Sequence, residues 1–329
     1  GDSSWKDLLT SYDGKQLSSD EIGNLSGDGK WSYSWRRGRV LWDMSRMVDE
    51  DAELFEVVQY RYDSNGRRTG KTYGDSYNFR IVGGQLYYVG DSTGTAYYYA
   101  GDDLSQIDIT FPDNSSTSLH FTYDELGPMS VTYSGAEYFY LKNAQGDVTG
   151  LVNNSGTQVV AYTYDAWGNP LTTTGTMADT LGKLNPFRYR GYVYDTETGL
   201  YYLGSRYYNP ETGRFINADG ELADIGESVK GYNLFAYCQN NPVTMSDSEG
   251  NWPKWAKKIV AAAAIVIAVT VVAAVVVATA GAGSAFACAA VGAAKGAFTG
   301  FIVGAITGAA TNVVSNRVKS GSWSGSGKA

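Results

Sequence analysis

The chain of 329 residues holds 34 acidic and 26 basic residues, one histidine and two cysteines. His120 alone cannot supply a Ser-His-Asp relay or a multi-histidine metal centre, and Cys238 and Cys288 are too few for a disulfide framework or a cysteine zinc site. After Gly250 come seven basic residues and no acidic one, whereas the first 250 residues carry 19 basic against 34 acidic groups and all 26 tyrosines. This split predicts two units with different surroundings. The acidic first unit argues against nucleic acid as its ligand, because such binding is driven by phosphate neutralisation. The chain starts at Gly1 without a leader pattern and reads as a fragment or a processed piece.

Along the first unit, one device recurs. Asp20, Asp63, Asp91, Asp124, Asn143, Asn153 and Asp165 each begin an Asx-x-x-Gly step. The Asx side chain caps the backbone, and the fourth residue needs a positive φ that glycine adopts freely. The residues leading into these steps alternate, as in the runs ending at Tyr62, Tyr123 and Tyr164, so they read as half-covered strands. His120, inside "SLHFTYD", reads as one such strand residue. The stretch from Trp42 to Val58 is the one modest helical candidate. Many turns at short spacing predict an array of hairpins, each burying a face against its neighbours.

From Asn185 the pattern tightens. "GYVYDTETGLYYLGSRYYNPETGRFINADG", Gly191 to Gly220, packs six tyrosines into 30 residues. Its tyrosines read as sheet packing with hydroxyls that reach a partner. Arg190, Arg206 and Arg214 are spaced to pair with carboxylates or to stack on rings.

"RYDSNGRR", "TYDELG" and "TYDAWGNPL" resemble the YD repeats of the Rhs family. "NPFRYRGYVYDTETGLYYLGSRYYNPETGRFINADG", with "GYNLFAYCQNNPVTMSDSEG", resembles the Rhs repeat-associated core that closes such arrays. The resemblance covers residues 1–250. It implies a mainly β fold, a curved antiparallel hairpin sheet that spirals into a hollow shell, with the core as plug and a variable C-terminal toxin beyond it. Such proteins are exported or wall-associated in bacteria, and the related teneurins are animal adhesion proteins. Here the hairpins suffice only for the terminal part of a shell. The implied division is residues 1–184 as YD-repeat array, 185–250 as core and 251–329 as hydrophobic helical tail.

The resemblance also implies a self-cleaving aspartyl site. The family cuts itself once, just after an Asp-Pro-x-Gly-Leu motif. That pattern maps onto Asp247-Ser248-Glu249-Gly250-Asn251, with Ser248 in place of proline and Asn251 in place of the apolar residue. Asp219, from "FINADG", would be the second carboxylate, with Arg206 or Arg214 in support and the cut near Gly250 and Asn251. Two carboxylates held close divide into an acid and a base, so no histidine is needed. The plain alternative is that Asp247 opens an eighth Asx-x-x-Gly turn and that Asp219 caps another.

The last unit differs in kind. Ile259 to Ala294 is a 36-residue run without a charge, preceded by Trp252, Lys254, Trp255, Lys257 and Lys258. A membrane span needs about 20 such residues, and this flank suits an interface anchor. Gly292, Gly296, Gly300, Gly304 and Gly308, each four apart, would form one ridge for close helix packing. Residues 259–316 are therefore expected to meet a membrane, that of a target cell or the chain's own, or to be sheltered in the shell. No catalytic constellation follows, and no cofactor or metal is implied.

Two readings stay open. One is the C-terminal piece of an exported, toxin-bearing shell that works with an immunity protein and export machinery. The other is a cell-surface adhesion protein, anchored by a membrane hairpin, whose aromatic sheet binds carbohydrate or protein.

Overall fold

The computed structural model describes residues 5–49, 54–75, 79–82, 85–88, 92–125, 127–219, 233–247 and 250. Contacts divide the chain into two units, Gly1–Lys142 with Gly146–Trp255, and Asn143–Gln145 with Ala256–Ala329. All that follows belongs to the first. The expected helical tail, its glycine ridge and the membrane segment 259–316 lie outside the described residues. Among the described residues no helix is long and apolar enough to cross a membrane.

Fourteen antiparallel strands make one sheet, from Ser18–Ser19 at one edge to Pro170–Thr174 at the other. Each strand pairs with its neighbours in sequence. The one excursion is the hairpin Phe79–Val82 with Gln85–Tyr88, set aside while Arg68–Asp75 and Thr93–Ala100 pair directly. The class is thus mainly β, as the alternation requires.

The repeated corner has one construction. At Asp20, Asp63, Asn153 and Asp165 the main-chain carbonyl accepts the N–H of the glycine three residues on, at 2.9–3.2 Å. The side-chain Oδ1 accepts the N–H groups two and four residues on, at 2.8–3.1 Å. The glycines Gly23, Gly66, Gly156 and Gly168 have φ between +80° and +92°. The preceding tyrosine has its own task. Tyr62, Tyr123 and Tyr164 donate their hydroxyls to the carbonyls of Leu41, Leu104 and Val148, at 2.7–2.8 Å. Each carbonyl lies at the start of the adjacent strand, so the aspartate folds the corner and the tyrosine ties it to its neighbour.

Two expectations fail. Trp42 to Val58 is not helical but spans the strands Val40–Asp49 and Leu54–Tyr62. Cross-strand contacts decide the matter. Leu41, Met44, Val57 and Val58 are buried, and Arg46 meets Glu56 directly opposite it at 2.5 Å. The expected corner at Asp91 also does not form on its glycine, since Gly94 sits inside the strand Thr93–Ala100; Asp91 itself is outside the described residues. His120 is an exposed strand residue opposite Gln106 and Thr132.

A second, four-stranded antiparallel sheet follows: Val193–Asp195, Leu200–Tyr202, Tyr207–Asn209 and Arg214–Phe215, paired in that order. Both of its faces are covered. Leu200, Tyr202, Tyr207 and Ile216 pack with Leu41, Met44, Val58 and Tyr60 of the large sheet. Tyr201, Tyr208 and Phe215 face the other way, with Tyr189, Tyr192 and Tyr237. Period-two alternation explains the tyrosine doublets, because each member of Tyr201-Tyr202 and Tyr207-Tyr208 belongs to a different core.

An ion cluster fastens the two sheets. Asp195 is fully buried and meets Arg68 Nη1 at 2.5 Å and Lys71 Nζ at 3.1 Å, while Lys71 also reaches Glu197 at 2.8 Å. The Arg68 guanidinium lies 4.5 Å from the Tyr202 ring centroid and 4.6 Å from that of Tyr97.

Candidate functional site

The site is built around Arg206. The N–H of Leu203 bonds the Arg206 carbonyl at 3.0 Å, with Gly204 at φ +84°, so a tight turn delivers Arg206 to the start of the strand Tyr207–Asn209. The turn buries the arginine under the core. Its guanidinium stacks 3.6 Å over the Phe215 ring.

Every edge of that guanidinium is used. Nη2 is 2.9 Å from Asp219 Oδ2 and 3.7 Å from Asp247 Oδ2. Nη1 donates to the Leu234 carbonyl at 3.0 Å. Nε donates to the Gly250 carbonyl. All three charged side chains are at most 10% exposed, so water screens them little. Burial pushes the Arg206 pKa down from its usual value, Asp219 and Asp247 pull it back up, and nearby Arg39 opposes them.

The backbone secures each partner. The Asp219 N–H bonds the Leu234 carbonyl at 3.0 Å. The Asp247 N–H donates to the Tyr192 hydroxyl at 3.1 Å. Gly250 has φ +70° and fits a close cradle. A Cβ there would stand 2.8 Å from Ser205 Oγ, 3.0 Å from the Arg206 nitrogen and 3.1 Å from the Leu203 carbonyl oxygen. Only glycine enters such a space in such a conformation.

Of the candidates read from the sequence, Arg206, Asp219, Asp247 and Gly250 come together. Arg214 goes elsewhere, to the Asp7 carbonyl at 2.5 Å and Asn233 Oδ1 at 3.3 Å. Its place is structural, because the strand Arg214–Phe215 turns it away from Arg206 toward the N-terminal segment. Asn251 and the glycines Gly292 to Gly308 lie outside the described residues. Arg190 bonds the Pro242 carbonyl and lies 3.6 Å from Asp147. Sequence reasoning passed over Tyr192, Tyr237 and Ser205. The density of tyrosines signalled packing, and nothing local marks which hydroxyl meets a main chain 55 residues away. Among the described residues no group of three histidine, cysteine or carboxylate side chains is arranged for a metal ion.

A tyrosine-tied hairpin array, closed by a doubly covered core sheet, defines a YD-repeat shell protein of the Rhs type. The family model for the Teneurin YD-shell matches residues 46–243, and the chain belongs to this family. The tRNA3(Ser)-specific nuclease WapA of Bacillus spizizenii is 38% identical over 245 residues, which is 74% of this chain and 9% of WapA. Toxin subunit YenC1 of Yersinia entomophaga is 28% identical over 218 residues, 64% of this chain and 21% of that protein. The crystal structure of TcdB2-TccC3-Cdc42 superposes with a TM-score of 0.55 at 19% identity, covering 70% of this chain and 10% of that one. The last of these is a likeness of fold alone. The chain spans about a tenth of the WapA length, so it corresponds to one part of such a relative.

Proposed function

We propose that this chain is the C-terminal part of an exported Rhs-type polymorphic toxin. In this reading residues 1–184 form the last hairpins of a shell and residues 185–250 its core. Residues 251–329 lead into the toxin region, with 259–316 acting on a membrane of the target cell. An immunity protein and export machinery are the partners such a toxin requires. The core cuts the chain once, after Asn251.

One observation carries the cleavage reading, namely that Arg206 joins Asp219, Asp247 and the Gly250 carbonyl. A pair of carboxyl groups sharing one proton hydrolyses an amide without metal or histidine. One carboxylate takes a proton from water as the oxygen attacks the Asn251 carbonyl carbon. The other carboxyl gives its proton to the departing Trp252 nitrogen. Arg206 holds the peptide immediately before the bond and balances charge in a site closed to solvent. A single turnover per molecule suffices, so a slow reaction serves.

The test is the intact mass of the purified full chain beside Asp219→Asn and Asp247→Asn. The expected outcome is two fragments divided after Asn251 in the parent and one whole chain in both variants. A parent chain that stays whole overturns the reading and leaves Asp247 a turn residue, as the anchored surface protein would have it.

A further inference from the structure

Cleavage at this site uses Asp219, Asp247 and Arg206, and leaves a pair of buried hydroxyls beside them without a role. Tyr192 Oη accepts the Asp247 N–H at 3.1 Å and lies 3.0 Å from Tyr237 Oη. Both rings are buried, Tyr237 completely. They meet edge to face with centroids 6.4 Å apart, and Tyr237 also packs on Tyr208 at 4.1 Å.

The backbone that carries Tyr237 is unusual. Cys238, Gln239 and Asn240 all have positive φ, +49°, +52° and +60°. Residues other than glycine enter this region singly, so three in succession persist only where the surroundings fix them. The turn is closed by the Asn241 N–H on the Cys238 carbonyl at 2.9 Å, and the Met245 N–H then bonds the Asn241 carbonyl at 3.2 Å. The chain is thereby led back to Asp247. Cys238 is buried at the turn's centre, and burial chiefly pushes its thiol up to about 12. It stays neutral and adds no charge beside Asp247.

Asp247 and Gly250 are thus each held, Gly250 by Arg206 on its carbonyl and Asp247 by Tyr192 on its N–H. We propose that Tyr192, backed by Tyr237, is a positioning residue for self-cleavage, whose hydroxyl holds the Asp247 main chain so that its carboxylate stays against Arg206. This rests on the cleavage reading above. Arg206, Tyr192 and Cys238 face Asp247. Asp219 lies across the guanidinium and Tyr237 behind Tyr192, with Arg39 beyond Arg206 and Arg190 beyond Cys238. Arg206 brings a positive charge to the carboxylate, and an opposite charge favours the ionised form. Freed from Tyr192, Asp247 moves away from Arg206 and becomes easier to protonate.

The experiment follows cleavage of the freshly refolded full chain by intact mass across roughly pH 3 to 7, where carboxyl groups titrate. The chains are the parent, Tyr192→Phe and Tyr237→Phe, with thermal unfolding measured for each. Tyr192→Phe keeps the ring and loses the acceptor. It is expected to cut roughly 10- to 100-fold more slowly, to reach the same end point, and to have the acid limb of its rate profile displaced to higher pH. Tyr237→Phe is expected to show the same displacement to a smaller degree. A purely structural role would instead lower the Tm and the fraction cut, with the rate constant and the limb unchanged, and that result overturns the proposal. So does a Tyr192→Phe chain that matches the parent in rate and limb, while parent cleavage leaves the function standing. If the parent itself stays whole, the function and this inference fall together.

Discussion

Asp195 shows how a single carboxylate holds two sheets together. Burial by itself would push its pKa up; Arg68 and Lys71 overcome that and hold it below the ordinary value. The folded-state pKa is therefore depressed relative to the unfolded chain. The stability this group adds is present above the unfolded value, about 3.9, and is lost as pH falls through the folded one. Removing one partner of a buried pair leaves the other uncompensated and costs about 3–5 kcal/mol. Asp195→Asn is expected to lower urea-unfolding stability by that order at neutral pH. The gap to the parent should close as pH falls below about 4. A gap that is constant with pH would mean that the charge contributes nothing and the loss is one of packing. Little of this was legible in the sequence. Asp195 lies in the tyrosine-rich stretch from Gly191 to Gly220, but its partner Arg68 is 127 residues earlier, and no local pattern joins them. Arg206 is the opposite case. Its motif context singled it out, while only tertiary packing separates it from Arg214, eight residues on and turned away.

At the scale of one hairpin, the corner is the most legible part of the molecule, because every bond that makes it lies within five residues. What surrounds the corner is not legible, and the glycines expose the difference. Gly66 and Gly168 occupy the same place in the same turn, at φ +80° and +92°. Around Gly66 nothing lies within 4 Å of an added Cβ, whereas at Gly168 the Tyr189 ring lies at 2.6 Å. Gly66→Ala is expected to cost only the left-handed conformation, about 1–2 kcal/mol. Gly168→Ala adds displacement of a buried ring and should cost roughly 1–3 kcal/mol more. Chemical denaturation of the two variants checks this, and equal losses would mean that the Tyr189 contact yields freely. The mistaken helix at 42–58 has the same origin. A bulge at Trp42 leaves the buried Leu41 and Met44 three residues apart, a helix-like spacing, and the strand is settled by partners on both sides, Tyr33 opposite Met44 and Glu56 opposite Arg46. Such pairing outweighs local preference.

Across the whole molecule, the tyrosines that supply the cores and ties also set an upper limit of pH. Burial is the first cause of raised pKa values at Tyr60, Tyr62, Tyr97, Tyr140, Tyr162, Tyr192, Tyr201, Tyr207, Tyr208 and Tyr237. In the unfolded chain the same phenols ionise near 10. A folded pKa above the unfolded one adds stability that is complete below about 10 and is lost as pH rises beyond it. Each phenol kept protonated removes about 1.4 kcal/mol of stability per pH unit above that value. With ten such groups the slope approaches 14 kcal/mol per unit, comparable to the whole stability of an ordinary domain. Unfolding in alkali should therefore be abrupt, complete within about one pH unit above 10. Phenolate absorbance and far-ultraviolet circular dichroism, followed together in a pH titration, are expected to change in one shared step after a small early rise from exposed tyrosines. A gradual phenolate signal with the dichroism intact would show that the rings ionise in place and that the cores admit water. The single step would instead mean that the hydroxyl ties at the corners and the packed rings of the core sheet fail as one body, which is what two sheets packed through shared tyrosines require.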